Sequence, residues 1–124
     1  MNPTLTKNFI AGAAVSPRRI VKFGADDDHV IHGAAVGDAL FGITTDLGAA
    51  TDERIDVHVA GLPEVEYGGT IAAGALLTSD ANGKAVAAAP ATGVNNRIIG
   101  TAMVAGVDGD IGTVLLAPGQ IQGA

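Results

Sequence analysis

The sequence predicts an all-β protein, a small β-sandwich or β-barrel of short strands carrying an extended N-terminal arm. Three observations lead there. Eighteen glycines recur along 124 residues and divide the chain into short aliphatic runs, the pattern of many short strands joined by tight turns. In "IDVHVAG", Ile55, Val57 and Val59 alternate with Asp56 and His58, a period of two that puts the aliphatics on one buried face. The stretch "ALLTSDANGKAVAA" sets two apolar runs around Asn82-Gly83, a pair suited to the positive φ of a hairpin turn.

Residues 1–17, "MNPTLTKNFIAGAAVSP", have prolines near both ends and no sustained periodicity. Such a segment is a frayed terminus or, in an assembly protein, an arm that pairs with a neighbour's strand edge. Residues 18–124 form the single β-rich domain. "RIVKF" (Arg19 to Phe23) is its first strand candidate, and "GADDDHVIHGAAVGD" reads as a turn followed by a short strand. "FGITTD" leads through a loop into "VHVAG", and "IGTAMV" leads through a loop into "VLLAPG". This weak echo suits two similar β units packed against each other. "GGTIAAG" is open between one helical turn and an extended corner. Asp108 and Asp110 around Gly109 mark a hairpin turn, and "TVLLA" (Thr113 to Ala117) is the last strand.

Composition narrows the function. The chain is 48% apolar but only 3% aromatic, so its core rests on many Val, Ile, Leu and Ala contacts, each Val or Leu contributing about 1.5–3 kcal/mol. A net charge of −6 repels phosphates and argues against nucleic acid as a partner. Mean hydropathy is +0.36, yet no run reaches the ~20 apolar residues of a spanning helix, so no membrane partner is expected. "KNFIAGAAVSP" is too short an apolar stretch for an export signal, and a cytoplasmic product is expected. Without cysteine, disulfides, thiolate catalysis and thiolate-ligated zinc are excluded.

The remaining chemistry is thin. His29 and His32 lie three apart beside Asp26, Asp27 and Asp28, but on a strand such positions face opposite sides, and a solvated acidic loop is expected instead of zinc. "DDDH" and "VDGDIG" lack the ligand spacing of a calcium loop. Ser16 and Ser79 lack a nucleophile elbow. Gly83-Lys84 precedes Ala85 where a phosphate loop needs a hydroxyl. Lys84 sits in "NGKA" without the flanking residues of biotin or lipoate carriers. No enzyme, cofactor or metal is expected.

The ordered pieces "SPRRIVKF", "FGITTD", "IDVHVAGLPEVEYGGTIAAGALLTSDANGKAV", "IIGTAMVAG" and "GTVLLAPG" run from Ser16 to Gly119. Together they resemble the capsid cement, or head decoration, proteins of tailed bacteriophages. Ala75 follows Gly74 where family members often carry an acidic residue. The resemblance implies a β-rich protein on the outer surface of the virion's mature capsid, made in the host cytoplasm. Its partners would be the major capsid protein and itself, as a homotrimer. It transfers no catalytic residue. Candidate contact residues are Thr6, Lys7, Asn8, Phe9 and Ile10 of the arm, with Phe9 an aromatic anchor outside the core, and the basic cluster Arg18, Arg19 and Lys22. The rival function is a displayed β-rich binding module, for instance for carbohydrate, with Tyr67 as its stacking surface.

Overall fold

A computed structural model describes residues 4–124. It is all-β, as expected, with ten strands: β1 (Thr4–Ala11), β2 (Ile20–Phe23), β3 (His29–His32), β4 (Gly42–Thr44), β5 (Arg54–Gly61), β6 (Glu64–Glu66), β7 (Leu76–Ser79), β8 (Ala85–Ala87), β9 (Asn95–Ala102) and β10 (Ile111–Gln122). The first five close into a barrel in the order β1-β3-β2-β4-β5, and the last five form a sheet in the order β6-β10-β9-β7-β8.

Residues 1–3 of the expected arm lie outside the described residues. From Thr4 to Ala11 the arm is a barrel strand, antiparallel to β5 from Thr4↔Gly61 to Ile10↔Arg54 and parallel to β3 at Ile10 and Ala11. Phe9 and Ala11 point inward and are buried. The helical option for "GGTIAAG" is not realised: Ile71 bridges Gly106 in an extended corner.

The two sheets have one connectivity. Starting from β1 and β6, the orders β1-β5-β4-β2-β3 and β6-β10-β9-β7-β8 match strand for strand. Their irregular parts match too. The bridge Val15↔Ala49 recurs as Ile71↔Gly106, and the parallel β1–β3 contact recurs as the bridge Tyr67↔Ala85, which brings the second sheet's two edges together. The hydrogen bonds Ala11 N–H to Glu53 O, Asp52 N–H to Ala11 O and Gly12 N–H to Val30 O return as Tyr67 to Asp110, Gly109 to Tyr67 and Gly68 to Ala85. Left-handed backbone at Arg18 and Asp52 (φ 55° and 71°) returns at Gly74 and Gly109 (both 89°). The molecule is therefore a tandem repeat of one five-stranded barrel unit, of which the short sequence echo is the visible part.

Each unit has its own apolar interior. The first holds Phe9, Val15, Val21, Val30, Ile55 and Val57. The second holds Val65, Tyr67, Ile71, Leu77, Ile99 and Val114, and with them Ile20, Leu40 and Ile43 of the first unit. Strand alternation explains the crossing. Val21 faces inward on β2, so its neighbour Ile20 faces outward, into the second unit. Backbone bonds seal this contact: Ile20 N–H to Gly83 O (2.7 Å), Glu66 N–H to Arg18 O (2.9 Å) and Arg97 N–H to Val36 O (2.6 Å).

The hairpin read from "DANG" joins β7 to β8. Asp80 organises it, its Oδ1 accepting from the N–H of Asn82 (2.8 Å) and Lys84 (3.0 Å), and only Gly83 of the Asn-Gly pair takes positive φ (76°). That is the three-residue hairpin with glycine at the left-handed position.

Candidate functional site

Strand β1 carries the most exposed side chains of the predicted contact set. Thr4 to Asn8 are all exposed, and Leu5 shows 62% of its surface, an unusual position for a leucine with a nearby core. Polar pairs hold the strand on β5: Thr6 Oγ1 lies 3.1 Å from His58 Nδ1, Asn8 Nδ2 donates to Asp56 Oδ1 (3.0 Å), and Arg54 Nη1 donates to Asn8 Oδ1 (3.2 Å). Strand β3 covers only Ile10 and Ala11. From Thr4 to Phe9, then, one edge of β1 has no partner strand among the described residues, and such an edge accepts an added strand.

Phe9 corrects the expectation of an anchor outside the core: it is 3% exposed. Its ring meets Phe41 and Phe23 edge-on at 5.4 and 6.1 Å, and Phe23 stacks on Phe41 at 4.2 Å. All three phenylalanines thus form one cluster. The exposed aromatic is Phe23, at 45%, and Lys7 Nζ stands 4.1 Å above the Phe9 ring, a cation–π contact. Period-two reading of "RIVKF" puts Phe23 with Val21 on the inward face. Its exposure arises because β2 ends there, which no local pattern announces.

The basic cluster is not a free positive patch. Arg18 lies 3.9 Å from Glu64, Lys22 Nζ 2.9 Å from Asp38, and Arg19 3.4 Å from Glu66, with Arg19 Nη1 also donating to Asn82 O (2.9 Å). Arg19 and Arg18 tie the first unit to the second. Burial works against ionised Glu66, but Lys84 (3.0 Å) and Arg19 hold its carboxyl below the usual range. At Asp38 burial again favours the neutral carboxyl, but the Lys22 ammonium and the Ala34 and Ala35 amides together hold it below the usual range.

The histidines face apart, as strand geometry requires. His29 Nδ1 meets Asp26 Oδ1 at 2.6 Å, raising the imidazole and lowering the carboxyl. His32 Nε2 instead accepts the Ser16 N–H at 2.9 Å. Among the described residues no group of three or more metal-ligating side chains converges. Lys84 is engaged by Glu66 and lies 3.8 Å from Asp108, unlike the free tip a carrier lysine needs. Tyr67 is fully buried, its hydroxyl donating to Val104 O at 2.7 Å, so it offers no ring for a sugar to stack on. A shallow hollow of 290 Å³ between the units is lined by Arg18, Thr44, Thr45, Asp46, His58 and Glu64. Its hydroxyl at Thr44 is spent on Ser16 O and the Arg19 N–H. What the surface offers is strand edge and apolar contact area.

Comparison with known proteins agrees with this character. The profile of a family described as phage cement protein matches residues 1–117. The chain belongs to that family. As a phage cement protein it is a structural, capsid-associated component of the virion. No curated protein matches its sequence. Among solved structures, the crystal structure of the head fiber gp8.5 N base in bacteriophage phi29 superposes with a TM-score of 0.69 at 18% identity, over 93% of this chain and 95% of that one. At that identity the likeness is one of fold, and it covers both units.

Proposed function

We propose that this cement protein binds the outer surface of the mature capsid across capsomer joints, as a homotrimer, and holds the shell against the pressure of packaged DNA. The observation that carries this reading is the family match over residues 1–117. The net charge of −6 suits a surface turned away from DNA. A protein that binds the expanded shell better than its precursor shifts the equilibrium towards the expanded form. Three linked copies gain avidity of order 10²–10⁴ where the geometry allows all to engage.

The contact is assigned to the open edge of β1, with Leu5, Thr6, Lys7 and Asn8 meeting the major capsid protein. Phe9 and Ile10 secure the strand from the barrel side. Arg18, Arg19 and Lys22 serve the fold through their carboxylate partners. Removing the whole segment would destroy the barrel along with the contact, so a point change is the sharper test. Leu5→Glu is solvent-facing and should alter stability by no more than about 0.5 kcal/mol. In co-sedimentation with expanded heads lacking the protein, wild type should saturate at a fixed ratio to the major shell protein and delay DNA loss on heating. The L5E chain should bind about 10-fold more weakly or worse. Equal occupancy by both would remove β1 from the contact, and no saturable binding by wild type would remove the capsid role proposed here.

A further inference from the structure

The β7–β8 turn holds the one Asn-Gly pair of the chain, Asn82-Gly83. The other four asparagines precede Pro3, Phe9, Asn96 and Arg97, whose ring or side chain covers the peptide nitrogen that follows. Glycine leaves that nitrogen open, one five-membered ring away from the asparagine side-chain amide. Asn82 is exposed. Its backbone is tied down, the N–H to Asp80 Oδ1 and the carbonyl to Arg19, but its side-chain amide has no hydrogen-bond partner among the described residues. The Gly83 N–H reaches Asp80 O only at 3.4 Å, beyond the usual range of such bonds.

The first unit supplies this peptide with a cation at the atom where charge would collect. Loss of the Gly83 amide proton leaves an anion shared between that nitrogen and the Asn82 carbonyl oxygen. Arg19 Nη1 donates to this same oxygen at 2.9 Å. A guanidinium held in place before the charge develops stabilises it without reorganisation. The Arg19 side chain is 15% exposed, so solvent screens the attraction less than at an open surface. Glu66 shares the guanidinium at 3.4 Å, but Lys84 also neutralises that carboxylate, at 3.0 Å.

We infer that Asn82 is a self-modification site, where the Gly83 nitrogen attacks the Asn82 side-chain amide while Arg19 stabilises the attacking anion. The new C–N bond closes a succinimide ring. The bond to the side-chain nitrogen breaks, and that nitrogen takes a proton from solvent and leaves as ammonia. Water then opens the ring. Addition at the side-chain carbonyl gives aspartate. Addition at the main-chain carbonyl gives isoaspartate, in which the chain runs through Cβ and the former Asn82 carbonyl becomes a free carboxylate. One water enters and one ammonia leaves, with no oxidant or cofactor. The place of the turn decides the effect. The Gly83 carbonyl accepts the Ile20 N–H at 2.7 Å, one of the bonds that seal the two units. An extra main-chain carbon before Gly83 displaces that carbonyl, and the new carboxylate competes with Glu66 for Arg19. The modification therefore loosens the contact between the units as the folded chain ages, whether or not it is bound to a capsid.

Incubation of the whole chain in mildly alkaline buffer, below its melting temperature, tests this. The tryptic peptide from Ile55 to Lys84 carries Asn82 as its one amide side chain, so exchange of NH2 for OH in that peptide, read by mass, reports Asn82 alone. Wild type should convert steadily, with isoaspartate among the products, and Asn82→Ser should show no such gain. Arg19→Gln should slow conversion about 10-fold in the folded chain. Arg19→Lys, which keeps the charge, serves as second variant should R19Q fail to fold, judged by thermal unfolding, and its rate should lie between. A purely structural role for Arg19 has the opposite sign, since a turn released from its anchor closes the ring more readily. Converted chain, separated by its added negative charge, should melt about 3–6 °C below the unconverted chain. A wild type that stays unmodified, an Arg19 variant that converts as fast as wild type or faster, or converted chain with an unchanged melting temperature would each overturn the proposal.

Discussion

Single positions show how two copies of one barrel came to differ in sequence while keeping their backbone. Ala11 and Ile55 of the first unit occupy the places of Tyr67 and Gly112 in the second. An added Cβ at Gly112 would collide with the Tyr67 phenol, and at Gly106 it would lie 2.8 Å from the ring; its counterpart is Ala49. Large and small have been exchanged across the interior, as close packing demands. Tyr67→Ala should therefore cost about 3–5 kcal/mol through the cavity, and Gly112→Ile at least about 3 kcal/mol through overpacking. The double variant, which restores the first unit's combination, should recover about 1–3 kcal/mol of that sum in urea denaturation. Strict additivity would mean that the two sites do not exchange volume. His32 gives a pH test. Burial first, and then the nearby Arg19 charge, lower its pKa, and accepting the Ser16 N–H requires an unprotonated Nε2. A lowered pKa means the unfolded chain binds the proton more readily below about pH 6.5. Stability from this group is thus complete above that pH and declines as pH falls towards the folded-state value. Of the other two, His58 is also lowered, by burial, and His29 is raised by Asp26, so the comparison must isolate His32. Relative to His32→Gln, wild type should lose about 1 kcal/mol between pH 7.5 and 5; parallel pH profiles would sink this assignment.

At the scale of elements, legibility follows the range of the determining contact. Strands β2 and β5 and the Asp80–Lys84 turn are visible because alternation and glycine placement act within a few residues. The same holds for the opposed faces of His29 and His32. Strand β1 is not visible: its partner β5 lies some fifty residues on, and only Phe9 and Ala11 of "TLTKNFIA" face inward. The charges mislead for the same reason. Arg18, Arg19 and Lys22 look like one basic cluster, but Arg18 and Arg19 meet Glu64 and Glu66 of the second unit, and Lys22 meets Asp38 of the loop before β4. Arg19 is the strongest of these ties, joining the start of β2 to β6 and to the β7–β8 turn. Its Nη groups are engaged, although its buried Nε has no partner among the described residues. Replacing Arg19 with Ala should cost about 1.5–3 kcal/mol, the range for hydrogen bonds to charged groups. Lys84 would still neutralise Glu66, which keeps the loss from rising further. A loss below about 0.5 kcal/mol by urea titration would assign Arg19 to the surface, as the cluster reading supposed.

For the whole molecule, the decisive feature is that one interior is completed by the other unit's outer face. Two barrels with separate cores would unfold separately, but Ile20, Leu40 and Ile43 are indispensable parts of the second unit's core. The chain should therefore melt as one cooperative unit, with calorimetric and van't Hoff enthalpies equal. Ile43→Ala should break that equality as well as lower stability by about 2–5 kcal/mol, because the second unit would open while the first, whose interior is built from its own Phe9, Val21, Val30, Ile55 and Val57, stays closed. Hydrogen exchange would locate the difference: amides of β7, β9 and β10 should lose protection ahead of those of β2 and β5. Since binding of any kind adds stability through mass action, the comparison is made at one fixed protein concentration. Loss of protection spread evenly over both sheets would mean the units share one core rather than one completing the other.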